Sequence, residues 1–238
     1  MRSDPVIKAA ISDMEALSEK ANKISLISGE HDRLPEFSPG SNIEVSIPAR
    51  PGDEPRPFSI TSDARDASHY QLVVVDNQDD HTSKNSWLIR KARLGDRLDI
   101  SMPRCGMTFD DNEVAYFIAG GSGVTAFLSH FNTVDIVSKQ YQLFHIVNSE
   151  SDGSSIIDGN LSSHIDIDLI VFPENPAFKV KAVLKGKDRS KPVYVAGPTS
   201  LITAVYHAAL ELGWTEDKIN WDRYALPDNP AEVEASTM

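Results

Sequence analysis

Three glycines and a threonine stand at a spacing that can receive a phosphate: Gly120-Gly121-Ser122-Gly123-Val124-Thr125. The apolar run Phe117-Ile118-Ala119 enters this stretch, and an apolar helical pattern opening with Ala126-Phe127-Leu128 leaves it. A glycine turn between a strand and a helix lets backbone N–H groups approach an anion, because no Cβ stands in the way. It also points the positive end of the helix at that anion. The spacing is Gly-Gly-x-Gly rather than the Gly-x-Gly-x-x-Gly of the dinucleotide fingerprint, and a plain structural turn can use the same residues. A second turn, Gly197-Pro198, ends another short apolar run, Val193-Tyr194-Val195-Ala196.

Two earlier stretches carry further candidates. Arg56-Pro57-Phe58-Ser59-Ile60 is read as a short strand with a guanidinium and a hydroxyl on one side, flanking an aromatic ring. Arginine suits a bidentate grip on phosphate, and Phe58 can lie against a planar ring; the plain alternative is a surface arginine beside a core phenylalanine. Thr82-Ser83-Lys84-Asn85-Ser86 precedes Trp87 and offers hydroxyls, an amide and one cation. Such a cluster can hold an anion at a helix start, or it can be a solvated loop with Ser86 as the N-cap.

The elements that must position these residues fall into two kinds. Before residue 110 the chain alternates with period two at Lys23–Ile27, Asn42–Pro48 and Arg97–Met102, with a short strand at Phe58–Ile60 and a buried strand at Tyr70–Val75. The stretch from Ile7 to Leu17 is ambiguous between strand and helix, and Trp87–Ala92 reads as one short helix. Many short strands with turn signals between them predict a small antiparallel barrel. After residue 111 the pattern changes to strands at Val114–Ala119, Tyr141–Val147, Ile165–Phe172, Val193–Ala196 and Ile219–Tyr224. They alternate with helical spacing at Phe127–Val137 and Leu201–Leu212, the latter ended by Gly213 and started near Thr199 or Ser200. That alternation predicts a parallel sheet covered by helices. In such sheets ligands bind beyond the carboxyl ends of the strands, and both glycine turns fall at such ends. The expected organisation is a barrel domain over 1–110, an α/β domain over 111–226 and a flexible tail over 227–238.

Composition bounds the rest. The 238 residues carry a formal net charge of −12, which argues against nucleic acid as a partner. The single cysteine, Cys105, excludes an intrachain disulfide framework and a Cys-ligated iron–sulfur cluster. The histidines share no metal-ligand spacing. No apolar run approaches a membrane span, the first residues lack a signal-peptide core, and the cytoplasm is the expected compartment.

Taken together, several motifs in order resemble the ferredoxin–NADP reductase superfamily, and within it the phthalate dioxygenase reductase branch. They are Leu34-Pro35-x-Phe37-x-Pro39-Gly40, Arg56-Pro57-Phe58-Ser59-Ile60, Leu94-Gly95-Asp96, Ala119 to Thr125, Val193 to Pro198, and Ala208-Ala209-Leu210-x-Leu212-Gly213-Trp214. The resemblance implies a flavin-binding barrel followed by a parallel-sheet domain for a nicotinamide dinucleotide. Carried over, Arg56 faces the flavin phosphate, Phe58 packs on the isoalloxazine, and Ser59 bonds the flavin near its reactive nitrogen, with Pro57 and Ile60 completing that strand. Ser83, Lys84, Asn85 and Ser86 stand where the branch usually has Gly-Gly-Ser, with Lys84 supplying charge. Gly120, Gly121, Ser122, Gly123 and Thr125 receive the dinucleotide, Ser149 lies beside it, and Gly197 and Pro198 line the nicotinamide entry. Ser59 and Thr125 are the residues expected at the reacting atoms. Ala196 replaces the cysteine usual before Gly-Pro.

The resemblance implies a flavin-dependent NADH oxidoreductase with FMN as cofactor, FAD being the second choice. NADH is expected over NADPH because Asn148-Ser149-Glu150-Ser151-Asp152 is acidic where a 2′-phosphate would want arginine or lysine. The branch usually continues into a ferredoxin domain with four cysteines. With one cysteine before Met238, the expected electron acceptor is a separate ferredoxin or oxygenase subunit. Two other readings stay open on the residues alone: a stand-alone flavin or ferric reductase, and a non-catalytic subunit that has lost flavin through the altered Ser83-Lys84-Asn85 loop.

Overall fold

A computed structural model of the chain describes residues 5–47, 54–76, 84–110, 114–134, 141–147, 149, 156–157, 165–171, 177–223, 226 and 230. It divides into two compact units, Met1–Thr108 with Thr125–Thr133, and Phe109–Val124 with Val134–Met238.

The first unit holds strands β1 (Ile7–Ser18), β2 (Ala21–Ser28), β3 (Ser41–Ser46), β4 (Arg56–Ser59), β5 (Tyr70–Val75), β6 (Arg97–Ile100) and β7 (Arg104–Cys105). Its helices are α1 (Lys84–Arg90) and α2 (Thr125–Thr133). The sheet runs β4-β3-β6-β1-β2-β5, with β7 added to β3. An antiparallel bridge from Ile60, just past β4, to Leu72 on β5 joins the two ends of that order. The sheet therefore closes on itself as a barrel, which removes its open edges. Alternation along the strands sends Ile24, Leu26, Ile43, Val45, Leu72, Val74, Leu98 and Ile100 into one core.

The ambiguous first stretch is a strand. Ala9 and Ile11 alternate inward, and β1 is paired on both sides, with β2 and with β6. Irregularities between Ile11 and Asp13 and between Ala16 and Ser18 break its period, which is why the pattern resisted assignment. Helix α2 packs with this unit. Asn132 Nδ2 donates to Thr61 O at 2.8 Å, and Ala64 N donates to Thr133 Oγ1 at 2.8 Å.

The second unit holds β8 (Tyr116–Gly120), β9 (Gln142–Val147), β10 (Asp166–Val171), β11 (Val193–Ala196) and β12 (Ile219–Trp221), with helices α3 (Ala177–Leu184) and α4 (Thr199–Leu212). The order is β10-β9-β8-β11-β12, and every pairing is parallel. One face, with Tyr116, Ile118, Val193 and Val195, packs on Val180, Leu184, Leu201, Ile202 and Val205. The opposite face is aromatic. Phe117 stacks on Tyr194 with centroids 5.1 Å apart and meets Tyr141 edge-on at 5.2 Å. Helix α4 starts at Thr199, where its beginning was expected. Its N-cap is Pro198, and neither Thr199 nor Ser200 caps it, whereas Gly213 ends it in the left-handed conformation at φ 96°. Proline leaves a helix start without a side-chain acceptor, so its first-turn N–H groups are not capped from within.

Among the described residues, no helix is long and apolar enough to cross a membrane. Barrel closure rests on the Ile60–Leu72 pair, each at most 1% exposed. Leu72→Ala is expected to cost about 2–5 kcal/mol in chemical denaturation, as large-to-small core changes do. A loss below ~1 kcal/mol would mean that the closure is not a stabilising feature.

Candidate functional site

The strand order of the second unit turns back on itself beside β8. From β8 the chain steps to β9 and β10 on one side, then crosses to β11 and β12 on the other. The reversal lies between the neighbouring strands β8 and β11, and the crevice beyond their carboxyl ends is where open α/β sheets take ligands. Both glycine turns sit there: a 3₁₀ turn over Gly121–Val124 follows β8 directly, and Gly197-Pro198 follows β11.

These glycines divide into two groups. A Cβ on Gly123 would stand 2.5 Å from Ala196 O and 2.7 Å from Gly197 Cα. A Cβ on Gly197 would stand 3.0 Å from Gly120 Cα, and one on Gly120 would meet Leu201 Cδ2 at 2.6 Å and Pro198 Cδ at 2.9 Å. The two turns thus lie backbone against backbone. Gly121 differs: it has φ +52°, and a Cβ there would meet nothing within 4 Å. It is the point at which the turn presents bare backbone to open space.

His145 holds this turn from below. It lies on β9, opposite Ala119 of β8 in the pairing register, and is fully buried. Its Nε2 is 2.8 Å from Gly121 O. A carbonyl can only accept, so Nε2 carries the proton. Burial pushes the imidazole below its ordinary pKa, partly opposed by the bond to Gly121, and keeps it neutral. The sequence reading did not single this residue out. The signal available was one polar side chain inside the apolar run Leu143-Phe144-His145-Ile146-Val147.

The structure brings together Gly120, Gly121, Gly123, Gly197 and Pro198, with half-buried Ser122 in the same turn. Thr125 opens α2 and is buried. Ser149 is half-buried just past β9.

In the first unit the candidates separate. Arg56 and Pro57 are exposed, and Ser59 is half-buried. Phe58 and Ile60 are core residues of the barrel, as the plain alternative for Phe58 had it, and Ile60 N donates to Ser41 O at 2.9 Å. The expectation that Arg56 and Ser59 share one side is corrected. Residues three apart on a strand point to opposite faces. Asn85 Nδ2 donates to Val75 O at 2.8 Å, which ties α1 to β5. Ser86 is not the N-cap, because α1 begins at Lys84 and Ser86 is buried inside its first turn. Ser83 and the Lys84 side chain lie outside the described residues. Cys105 is an exposed free thiol on the short strand β7. Among the described residues no group of His, Cys, Asp and Glu could hold a metal ion.

Two outcomes follow from the turn geometry. Gly123→Ala should destabilise the fold by about 1–3 kcal/mol or more, since the clash is with backbone. Gly121→Ala should cost only the roughly 1–2 kcal/mol of a left-handed non-glycine residue. Thermal unfolding of the two variants checks this, and a Gly123→Ala protein as stable as wild type would contradict the close approach. The second outcome concerns pH. The unfolded chain binds a proton at His145 near the ordinary histidine pKa, whereas the folded chain does not until lower pH, so stability falls as pH drops below about 6.5. His145→Gln should flatten that slope in a pH series of unfolding midpoints, and an unchanged slope would show that His145 is not buried neutral.

Comparison with known proteins gives the same frame. No protein-family model matches the chain. It is 25% identical over 232 residues to the carnitine monooxygenase reductase subunit of Escherichia coli (strain K12), covering 96% of this chain and 71% of that protein. It is 24% identical over 205 residues to the heme-dependent oxidative N-demethylase beta subunit of Ectopseudomonas mendocina (strain ymp), covering 84% of this chain and 64% of that protein. A vanillate O-demethylase oxidoreductase from Pseudomonas sp. (strain HR199 / DSM 7063) is 22% identical over 237 residues, covering 97% of this chain and 73% of that protein. Among solved structures, the ferredoxin reductase of carbazole 1,9a-dioxygenase matches with TM-score 0.76 at 18% identity, over 92% of this chain and 69% of that one. Phthalate dioxygenase reductase, described as transferring electrons from pyridine nucleotides to [2Fe-2S], matches with TM-score 0.74 at 20% identity, over 91% and 67%. The chain is a homologue of the reductase components of oxygenase and demethylase systems, built on the ferredoxin reductase-like fold.

Proposed function

We propose that the chain is a flavin-dependent NADH oxidoreductase that passes electrons to a separate iron–sulfur or oxygenase/demethylase component. One observation carries this reading: the paired glycine turns at the reversal point of the parallel sheet, with Gly121 alone open to a ligand. A dinucleotide pyrophosphate suits that place, because bare backbone can approach it and short-helix N–H groups can face it. The close-packed Gly120, Gly123 and Gly197 keep the two turns together, and Pro198 opens α4 beside them. Ser122 and Thr125 line the same turn, and Ser149 follows the neighbouring strand. Glu150 and Asp152 beyond it favour a free ribose 2′-hydroxyl, hence NADH over NADPH.

The flavin belongs to the part of the chain over 1–110, and the dinucleotide to the part over 111–226. Arg56 is exposed at the start of β4, and among the described residues it has no ion-pair partner, so its guanidinium is available to a phosphate. Ser59, half-buried at the end of the same strand, would bond a ring edge. Lys84, the first residue of α1, would add a positive charge to that binding site. A bound flavin supplies the exchange between a two-electron hydride and single electrons, and the chain's task is to bind and orient both partners. FMN is the proposed flavin, because the branch resembled here uses it. The single cysteine in 238 residues suits a cytoplasmic protein.

The test is the visible spectrum of the purified protein before and after anaerobic NADH. A flavin band bleached by NADH, with kcat/KM for NADH at least about tenfold above that for NADPH, is the expected result. Arg56→Ala should weaken flavin binding about tenfold or more, the value of one charge-assisted hydrogen bond. A protein that takes up neither FMN nor FAD would overturn the reading in favour of a non-catalytic subunit.

A further inference from the structure

We propose that residues 90–97, the turn that joins α1 to β6, form the docking surface for the electron-accepting component, and that this component is a protein with an acidic face. The inference rests on the functional reading above and adds to it the surface that meets the partner.

The chain as a whole is acidic, with 35 Asp and Glu against 23 Lys and Arg. Residues 90–97 reverse that balance: Arg90, Lys91, Arg93 and Arg97 stand with one acid, Asp96. All four cations are exposed. The side chains of Arg90, Lys91 and Arg97 make no hydrogen bond or ion pair among the described residues. The acids nearby do little to cancel them. Asp96 Oδ2 accepts the Arg93 backbone N–H at 2.9 Å, and Asp99 pairs with Lys8 at 2.8 Å. Asp13, two residues beyond Ile11 on β1, is the other acid on that side of the turn.

Leu94 stands among these cations, 65% exposed, more than any other large apolar side chain among the described residues. The turn that lifts it into water is well tied. Gly95 N–H donates to Ile11 O at 2.8 Å, and Ile11 N–H donates to Asp96 O at 3.0 Å, which fastens the turn to β1. Asp96 N–H closes it on Arg93 O, and the Arg93 guanidinium donates to Ala92 O at 2.8 Å. A surface held in place before binding loses little freedom on binding. Arginine is enriched at protein interfaces, and covering the apolar side chain at the centre favours association.

Charge selects the partner. Nucleic acids and anionic bilayers present phosphate over a wide area, so they would also face the net negative charge of the rest of the chain. A folded acidic protein can meet these eight residues alone, because exposed charges more than a Debye length of about 10 Å away are largely screened. The place also suits an electron carrier. Helix α1 has seven residues and is about 10 Å long. The patch therefore lies one short helix from Lys84, which the functional reading gives to the flavin.

The test uses the full chain with its flavin and two acceptors: a soluble plant-type [2Fe-2S] ferredoxin of net negative charge, and menadione, a neutral quinone that needs no docking surface. Each NADH reduces two ferredoxins and releases a proton, or reduces one menadione and takes a proton up. The double variant Arg90→Glu with Arg97→Glu should raise the KM for ferredoxin about tenfold and flatten the salt dependence that the wild type shows, since rim charges act on association. Leu94→Ser should raise that KM about fourfold, the value of one buried CH2 group. Menadione reduction, the KM for NADH and flavin content should stay within about twofold in every variant, as surface changes usually allow. An unchanged ferredoxin KM in the double variant, or equal losses with both acceptors, would overturn the proposal. So would a wild type that reduces menadione and shows no saturation with ferredoxin, or one that binds phosphatidylglycerol vesicles through these residues in its place. If the wild type takes no NADH, the functional reading fails instead, and calorimetric titration with ferredoxin decides: binding by the wild type that the double variant loses supports the surface, and equal binding or none refutes it.

Discussion

The second unit depends on one contact, the backbone-on-backbone approach of two turns at the carboxyl ends of β8 and β11. A Cβ on Gly123 would lie within 2.7 Å of three backbone atoms of residues 196 and 197, and one on Gly197 would lie 3.0–3.1 Å from the backbone of Gly120. Adjacent parallel strands lie only about 4.8 Å apart. When both end in turns at the point where strand order reverses, the turns compete for the same space, and glycine resolves the competition. The result is a close approach of two glycine turns at one edge of the sheet. Gly121 is the one member of the group at which a Cβ would meet nothing within 4 Å, and the chemistry proposed for this protein is assigned there for that reason.

The sequence made some of this legible and hid the rest for definable physical reasons. Continuous apolar runs such as Val193–Ala196 are legible because a strand buried on both faces leaves no polar position. β5, Tyr70–Val75, reads equally well because its buried positions are β-branched, aromatic or leucine. β1 was ambiguous because its irregularities reset the alternation within a single strand. β7 is two residues long and has no period to detect. α3 escaped notice because lysines at 179, 181 and 185 interrupt a short apolar stripe whose buried members are Val180 and Leu184.

The candidate site was legible in the same uneven way. The glycine turns announce themselves by composition, and their shared edge follows from strand–helix alternation. The role of His145 does not, because it depends on which strand neighbours β8, and that is a fact of topology. In the barrel, Arg56 and Ser59 were set on one side of a strand although their odd separation forbids it. Phe58 proved to be a core residue. The core place of Phe58 is the plain alternative the residues had left open, and the misreading of Arg56 and Ser59 arises from taking a motif as a unit before its strand geometry is known. The start of α4 was legible: the helix begins at Thr199, one residue after Pro198, which is its N-cap.

The account's central claim is that a pyridine nucleotide binds at the reversal point between β8 and β11, over Gly121. The most direct measurement is an NMR titration of the isotopically labelled protein with NADH, following the backbone amides. The account predicts the largest shifts at Gly121, Ser122 and Gly123, with smaller ones at Gly197 and Thr199. Saturable shifts confined to other parts of the chain, with residues 120–124 unmoved, would contradict it.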